Sequence, residues 1–259
     1  VGGASMSRRS LLRTSFFIVA LCLLCAVPLH GQKPRFRVLA FYTNQGEPDH
    51  VAFAHQALPF FSALAEKDGF DWEATDDWRK MSLKTLKQYQ LVVWLDDLPS
   101  VPAERSAFRR YMEQGGGWLG FHISGYNDDS THWPWFVHFM GTVFYRNSWP
   151  PLPAVLKVDD PTHPIAKSLP ASYLAPASEW YVWQPDPRSN PRIKVLLTLD
   201  PSNYPLGMKD TLVSGDLPVV WTNTQYRMVY MNMGHGDKNF TSATQNRLFE
   251  NAILWLGAR

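Results

Sequence analysis

Cysteine is all but missing from this chain. Of 259 residues only Cys22 and Cys25 are cysteines, and both lie within the first 31. Beyond that stretch there is no disulfide framework, no thiolate metal site and no cysteine nucleophile. An excess of charge of one sign is missing too. Twenty-five Lys and Arg face 23 Asp and Glu, for a formal net charge of +2. That balance offers nucleic acid no basic surface and gives an anionic membrane little pull. Long apolar runs are equally scarce. The stretch from Phe16 to Val27 is shorter than the roughly 20 residues a membrane helix needs, so stable membrane insertion is not expected. No internal repeat, low-complexity tract or interdomain linker breaks the chain.

The apolar run fits a different purpose. Arg8, Arg9 and Arg13 precede it, after Met6, and Pro28-Leu29-His30-Gly31 follows it. Charged, apolar, then small is the order of a secretory signal. The expected organisation is therefore a signal over residues 1–31, cut near Gly31–Gln32, and one domain over 32–259, exported to the periplasm or beyond. Ser7-Arg8-Arg9-Ser10-Leu11-Leu12-Arg13 suits a twin-arginine signal as well as a general one. Lipid attachment at Cys25 is disfavoured because Leu24 precedes it where a small residue is wanted. Loss of the three arginines moves the net charge to about −1. About 228 remaining residues suffice for one well-buried domain.

What is present in quantity is tryptophan, with all 11 beyond the signal. Flat aromatic faces build cores, and they also suit the apolar faces of sugar rings. Strand-like and helix-like segments alternate through the first half, the pattern of a mainly parallel α/β sheet flanked by helices. Arg35–Thr43, Asp71–Thr75, Leu91–Asp96 and Trp118–Phe121 read as strands. Val51, Ala54, Leu58, Phe61 and Ala65 recur at helical spacing, with Pro59 expected to kink the helix. Pro102 and Glu104 open a second helix, which Gly115 ends. The stretch from Ile123 to Pro153 reads as irregular and aromatic. Ala154–Val158, Ile193–Leu199, Val219–Thr222 and Met228–Met233 read as later strands, and Thr244–Leu256 as a closing helix. Gly115-Gly116-Gly117 is discounted as a phosphate loop. It lies at a helix C-terminus, where no N–H cradle faces an anion, so no nucleotide cofactor is expected.

In an open parallel sheet, ligands bind beyond the carboxyl ends of the strands. Those positions hold His50 after the first strand, Asp96 and Asp97 after the third, His122 after the fourth and His235 after the last. Glu179, just before Trp180 and Tyr181, lies in an apolar aromatic stretch where an acid is costly unless paired. His122 sits in a strand–turn flanked by Gly120 and Gly125, resembling a nucleophile elbow, and its side chain is expected in the cleft rather than the core. Plainer readings exist: turn or capping histidines at 122 and 235, a solvated histidine at 50, a surface acid at 179. Three histidines and a carboxylate suit zinc first among divalent ions, with His50, His122, Glu179 and His235 as donors. A metal-free site using His122, His235 and Glu179 in acid–base roles is the alternative. His163 reads as structural. His132 and His138 belong to the aromatic middle, and His55 lies one turn past His50.

At these residues the chain resembles the ThuA-like (trehalose-utilisation) family, over nearly all of Phe36 to Gly257. The resemblance rests on Gly115-Gly116-Gly117-Trp118-Leu119-Gly120-Phe121-His122, Trp133-Pro134-Trp135-Phe136, His163-Pro164, Glu179-Trp180-Tyr181, Pro218-Val219-Val220-Trp221 and Asn232-Met233-Gly234-His235. It implies a flavodoxin-like, class I glutamine amidotransferase-like fold in which His122 holds the slot of the amidotransferase cysteine. It also implies a role in disaccharide and keto-sugar metabolism. The expected function is a hydrolase- or isomerase-type enzyme on a small sugar, with a non-catalytic sugar-binding protein as the alternative. Trp133, Trp135, Tyr145, Trp149, Trp180 and Asp97 are the expected sugar contacts. Glu47-Pro48-Asp49 before His50 departs from the commoner family form, where an aromatic–basic pair is frequent.

Overall fold

An unbroken apolar strand buries both of its faces, because successive side chains point to opposite sides of a sheet. The first strand, β1 (Arg37–Phe41), does this. Val38 and Ala40 enter one core layer, Leu39 and Phe41 the other. The structure is a computed structural model describing residues 1–3, 34–200 and 217–258. Most of the expected signal, residues 4–31, therefore lies outside the described residues. From Pro34 onward the chain forms one compact unit.

The elements after β1 run α1 (Pro48–Asp68), β2 (Asp71–Thr75), α2 (Leu83–Leu86), β3 (Leu91–Trp94), α3 (Pro102–Glu113) and β4 (Gly117–Phe121). Then come α4 (Pro134–Met140), β5 (Val143–Asn147), β6 (Leu152–Val158), β7 (Ser172–Ser178) and β8 (Tyr181–Gln184). The chain closes with β9 (Ile193–Leu199), β10 (Leu217–Asn223), β11 (Tyr226–Met231) and α5 (Ala243–Gly257). Nine strands form one sheet in the order β2-β1-β3-β4-β11-β10-β9-β6-β7. The half from β2 to β11 is parallel, and the wing from β10 to β7 is antiparallel. Helices α1 and α5 cover one face of the sheet; α3 and α4 cover the other. The expected α/β sheet flanked by helices is thus present, extended by a wing.

One register positions everything that follows. Met231 pairs with Phe121 across the parallel β4–β11 ladder. The residues leaving β11, Asn232 to His235, therefore emerge beside His122, which leaves β4. A separate two-stranded ribbon, β5–β8, pairs Asn147 with Tyr181 and brings Glu179 to the same end.

Several expectations need correction. Pro59, expected to kink α1, lies inside one helix of 21 residues. The proline is exposed, so the carbonyl it leaves without a donor faces water. The buried face of α1 is Phe53, Ala54, Ala57, Phe61, Leu64 and Ala65, shifted from the expected stripe, with Val51 and Leu58 only half-buried. The irregular middle contains α4 and β5. The closing of α3 follows expectation: Gly115 takes φ +85°, and the amides of Gly115 and Gly116 return to Met112 and Tyr111. Among the described residues no helix is long and apolar enough to cross a membrane.

The sheet reverses winding direction between β1 and β3, and Asp96 stitches that seam. Its Oδ1 accepts from the Thr43 amide at 2.8 Å, while Oδ2 is buried without a partner. Burial, partly opposed by the Thr43 amide and helped by Asp97, pushes the carboxyl up to about 8. The folded state therefore holds this proton more tightly than the unfolded chain. The stability it contributes is complete below about pH 4 and is lost as pH rises towards about 8. Asp96→Asn keeps an acceptor for Thr43 but cannot ionise. It should flatten the fall in Tm over this window and melt above the wild type at pH 8. Thermal melts from pH 4 to 9 test this, and parallel curves for both proteins would contradict it.

Candidate functional site

His122 is the first residue beyond β4 and carries a positive φ of 43°. Left-handed backbone is costly for a non-glycine residue and persists only where the surroundings impose it. Here Gly234 makes room. It has φ +148°, and a Cβ added to it would lie 2.6 Å from the His122 Cβ. The Tyr230 hydroxyl donates to the His122 carbonyl at 3.0 Å, and the Tyr181 ring lies 4.0 Å from the imidazole. His122 Nδ1 lies 2.9 Å from the Asn232 carbonyl oxygen, which can only accept, and 3.2 Å from the Asn232 side-chain nitrogen; the shorter contact, to the carbonyl, calls for the proton on Nδ1. Nε2 is then a bare lone pair, 3.3 Å from Glu179 Oε2.

His50, in the first turn of α1, and His235, between Gly234 and Gly236, complete the cluster. The His50 ring centroid lies 5.1 Å from those of both other histidines, which are 5.3 Å apart. One donor atom from each of His50, His122, Glu179 and His235 falls within 4.8 Å of every other. His122, Glu179 and His235 are buried, His122 wholly so, and His50 is half-buried. His50 Nε2, His122 Nε2 and His235 Nδ1 are buried without a hydrogen-bond partner. Glu179 accepts from the Asn147 amide. The expectation that His122 would face an open cleft is corrected: it joins the site but keeps no exposed surface.

The electrostatics point one way. Burial, reinforced by His122 and His235, drives the His50 imidazole down to about 3. Burial also lowers His122, and Glu179 only partly opposes it. Burial works against charge on Glu179, yet His122 and His235 hold its carboxyl below its ordinary value. These pulls conflict: Glu179 wants a positive neighbour, and buried His122 resists becoming one. Neutral imidazoles beside an ionised carboxylate are the state that ligates a divalent cation, and the group could hold one. Glu47 and Asp49 add carboxylates at the mouth. Glu47 caps α1 by accepting from the His50 amide, and its Oε2 lies 3.6 Å from His235 Nε2. Asp49 Oδ2 lies 3.6 Å from His235 Nδ1.

The expected sugar contacts are scattered. Trp133 and Trp180 are corrected outright. Trp133 packs in the core against Trp94 and Phe136, and Trp180 is fully buried with its Nε1 donating to Leu152. Neither has a face to offer a ring. Trp135 stacks on Phe139 one turn further along α4, and its ring partners are Phe108, Trp133, Phe139 and Tyr226, not the histidines. Asp97 is half-buried, spends an oxygen on the Leu98 amide, and has its carboxyl raised by burial. Tyr145 is exposed under the Arg146 guanidinium. Trp149 is the one of the six whose ring approaches a histidine of the cluster: 66 % exposed, it lies 6.5 Å from the His235 ring.

Asn147, Tyr181 and Asn232 shape the site, although none was expected there as a site residue and only Tyr181 and Asn232 fall in the motifs that carry the resemblance. Asn232 Oδ1 accepts from the Tyr181 amide, so one residue fixes both the His122 tautomer and the β8 entrance. Their signal was faint: an asparagine after a strand, and a tyrosine two residues past an acid. His163 caps a short turn and abuts Trp255, as a structural histidine would. His55 bonds Asn44 and His138 lies against Arg192, both away from the cluster. A concavity of about 790 Å³ lined by Met112, Thr222 and Trp255 opens near the amino ends of β4 and β11. It lies at the wrong end of the sheet for the histidines and contains none of them.

The family model described as trehalose utilisation (ThuA) matches residues 37–256. A solved structure described as a ThuA-like protein, from Bacteroides uniformis, is 53 % identical with TM-score 0.83, covering 87 % of this chain and 92 % of that one. Another described in the same way, from Parabacteroides merdae, is 20 % identical with TM-score 0.63, covering 86 % and 90 %. A candidate GMP synthase component from Thermoplasma acidophilum is 10 % identical with TM-score 0.51, covering 85 % and 94 %. The last two show the fold alone, an amidotransferase-like one. No curated protein matches the chain.

The close approach of Gly234 to His122 gives a direct test. Gly234→Ala adds a Cβ only 2.6 Å from the His122 Cβ, at a φ that alanine rarely adopts. A destabilisation of about 1–3 kcal/mol is expected. The strain falls on both loops that carry imidazoles, so the histidine ring resonances should shift with it. Denaturant melts and an NMR spectrum of the variant check this. Wild-type stability with unmoved resonances would remove the packing argument.

Proposed function

The chain belongs to the trehalose-utilisation (ThuA) family, and from that premise we propose that it is a carbohydrate-active enzyme of hydrolase or isomerase type. Its substrate is a disaccharide or keto-sugar, and it works with a divalent cation, zinc first, held by His50, His122, Glu179 and His235. The observation that carries the proposal is the meeting of four donor atoms around one point, within a group whose His50 and His122 Nε2 atoms are buried without partners. A protein that only binds sugar has no use for three convergent imidazoles stripped of hydrogen bonds. Each such buried polar atom costs about 1–3 kcal/mol if left alone.

Such an ion, when bound, supplies Lewis acidity towards a sugar carbonyl or hydroxyl oxygen. The protein's own part is positioning. The Asn232 carbonyl and Gly234 hold His122 in the tautomer that presents Nε2. Asn147 fixes Glu179. Glu47 stands at the mouth, where its carboxylate accepts from a sugar hydroxyl, and the exposed face of Trp149 stacks on the ring that hydroxyl belongs to. With no cysteine beyond residue 25, amidotransferase chemistry has no nucleophile.

We place this activity outside the cytoplasm, on the order of charged, apolar and small residues before Gln32. N-terminal sequencing of secreted material should read from near Gln32. A cytoplasmic chain that keeps Arg8 and Arg9 would refute export.

The site reading is tested by elemental analysis of the purified protein and by assay against native and keto-disaccharides. About one equivalent of divalent metal per chain is expected. His122→Ala should lower metal affinity by roughly 100-fold or more and abolish turnover, with the far-UV circular dichroism spectrum largely kept. Turnover that survives full metal removal would sink the metal-dependent reading.

A further inference from the structure

We propose that Asp49 is the positioning carboxylate of His235, holding that imidazole with its proton on Nδ1 and its lone pair on Nε2 turned into the cluster. The inference rests on the metal-site reading above and adds a residue that the reading does not contain.

His235 is 3 % exposed, and its Nδ1 has no hydrogen-bond partner. The carboxylate facing that nitrogen is Asp49, whose Oδ2 lies 3.6 Å away. The opposite ring nitrogen, Nε2, faces Glu47 at 3.6 Å and Glu179 at 4.0 Å. A neutral imidazole has one N–H and one lone pair. With the proton on Nε2, the lone pair on Nδ1 would point at the Asp49 carboxylate, and the cluster would lose a donor. With the proton on Nδ1, the N–H faces the Asp49 carboxylate, which accepts it once the 3.6 Å gap closes by a few tenths of an ångström, and Nε2 presents a lone pair towards Glu179. With a cation held by the cluster, only the second arrangement serves both ends of the ring. It reproduces on His235 what the Asn232 carbonyl does for His122. A carboxylate behind a ligating histidine fixes the tautomer and raises the basicity of the ligand.

The backbone is built to keep this pair together. The Gly236 amide donates to the Asp49 carbonyl at 2.9 Å, tying the loop after β11 to the first turn of α1. Gly234 and Gly236 both take positive φ, so the chain can turn sharply on either side of His235. Pro48 starts α1 and Glu47 caps it, which fixes the direction in which Asp49 leaves the helix. Aspartate in a first helical turn is favourable for the helix on its own account. That is the plain structural role the experiment must separate from positioning.

The test uses the mature protein, its Asp49→Asn, Asp49→Ala and Asp49→Glu variants, and zinc as the probe. Zinc affinity is measured by competition with a chromogenic chelator. In parallel, ¹⁵N–¹H correlation spectra of the zinc-loaded proteins report which nitrogen of His235 carries hydrogen. The expected result is a 10–100-fold weaker zinc affinity in Asp49→Asn and Asp49→Ala, with partial recovery in Asp49→Glu. The wild-type spectrum should show a His235 Nδ1–H that is absent or fast-exchanging in Asp49→Ala. A role confined to the helix would lower Tm and leave affinity and tautomer alone, which would overturn the inference. Two zinc equivalents in the wild type, one of them lost in Asp49→Asn, would overturn it in favour of a second ion between Glu47, Asp49 and His235. A wild type that binds no zinc refutes the functional reading itself, whereas zinc bound equally by wild type and Asp49→Asn refutes only the role of Asp49.

Discussion

A buried imidazole lone pair cannot rest against an ionised carboxylate unless positive charge lies between them. That constraint is set at His122 Nε2, 3.3 Å from Glu179 Oε2, once the Asn232 carbonyl has claimed the proton on the other ring nitrogen. Protonating the ring would supply the charge, but burial opposes it. Much of the surrounding structure follows from keeping this unstable meeting in place. Gly234 yields space to a residue in left-handed backbone, Tyr181 covers the ring, and Asn147 pins the carboxylate from a ribbon outside the main sheet. Strain and burial are spent on a polar cluster that would be destabilising if it had no ligand.

Why the cluster can exist at all is a matter of register. Parallel strands all point their carboxyl ends to one side, so whatever follows them gathers there. In this sheet the pairing of Met231 with Phe121 aligns the exits of β11 and β4 to within a residue. A shift of one position would turn the loops' side chains to the opposite face and separate His235 from His122. The antiparallel wing and the β5–β8 ribbon contribute differently. They carry no histidine of the cluster, but β7 of the wing and β8 of the ribbon deliver Glu179 between them, and β5 supplies Asn147. The acid therefore comes from the part of the fold least like a plain parallel sheet.

This division explains what the sequence discloses. The strands β1, β3 and β4 are continuous apolar runs, and a histidine directly after a strand is a readable sign in a parallel sheet. His122 and His235 could be picked out that way. Glu179 was legible for another reason, as an acid in a stretch too apolar to bear it alone. Asn232 and Asn147 were not, because an amide that fixes a tautomer or pins a carboxylate looks the same in sequence as one in a turn. Asp49 is similar: its place at the head of α1 satisfies a helix rule, which hides any second use. Strand β7 escaped because Pro176 and two serines interrupt its alternation, β5 because Arg146 and Asn147 do, and β8 because its four residues are too few to show a pattern. Ribbon and wing pairing restored them where local pattern could not.

The tryptophans show the limit of reading side-chain chemistry without position. An indole suits a sugar ring, yet it is also among the largest apolar bodies available for a core. Trp94, Trp118, Trp180 and Trp221 are fully buried, and Trp133 nearly so. In this fold most of the indole content fills the two layers on either side of the sheet. Trp149 differs: it lies in the short link between β5 and β6, beside Pro150 and Pro151, and is exposed among the described residues. Its ring stands over His235 from the solvent side. A planar apolar face held at the edge of a polar donor cluster is what a ligand with one oxygen-rich edge and one C–H face would meet on entering. Both Trp149, with its ring 6.5 Å away, and Glu47, at 3.6 Å, adjoin the His235 ring. A ring lying against the indole would turn its hydroxyl edge towards His235, and that edge is where a buried cation would act.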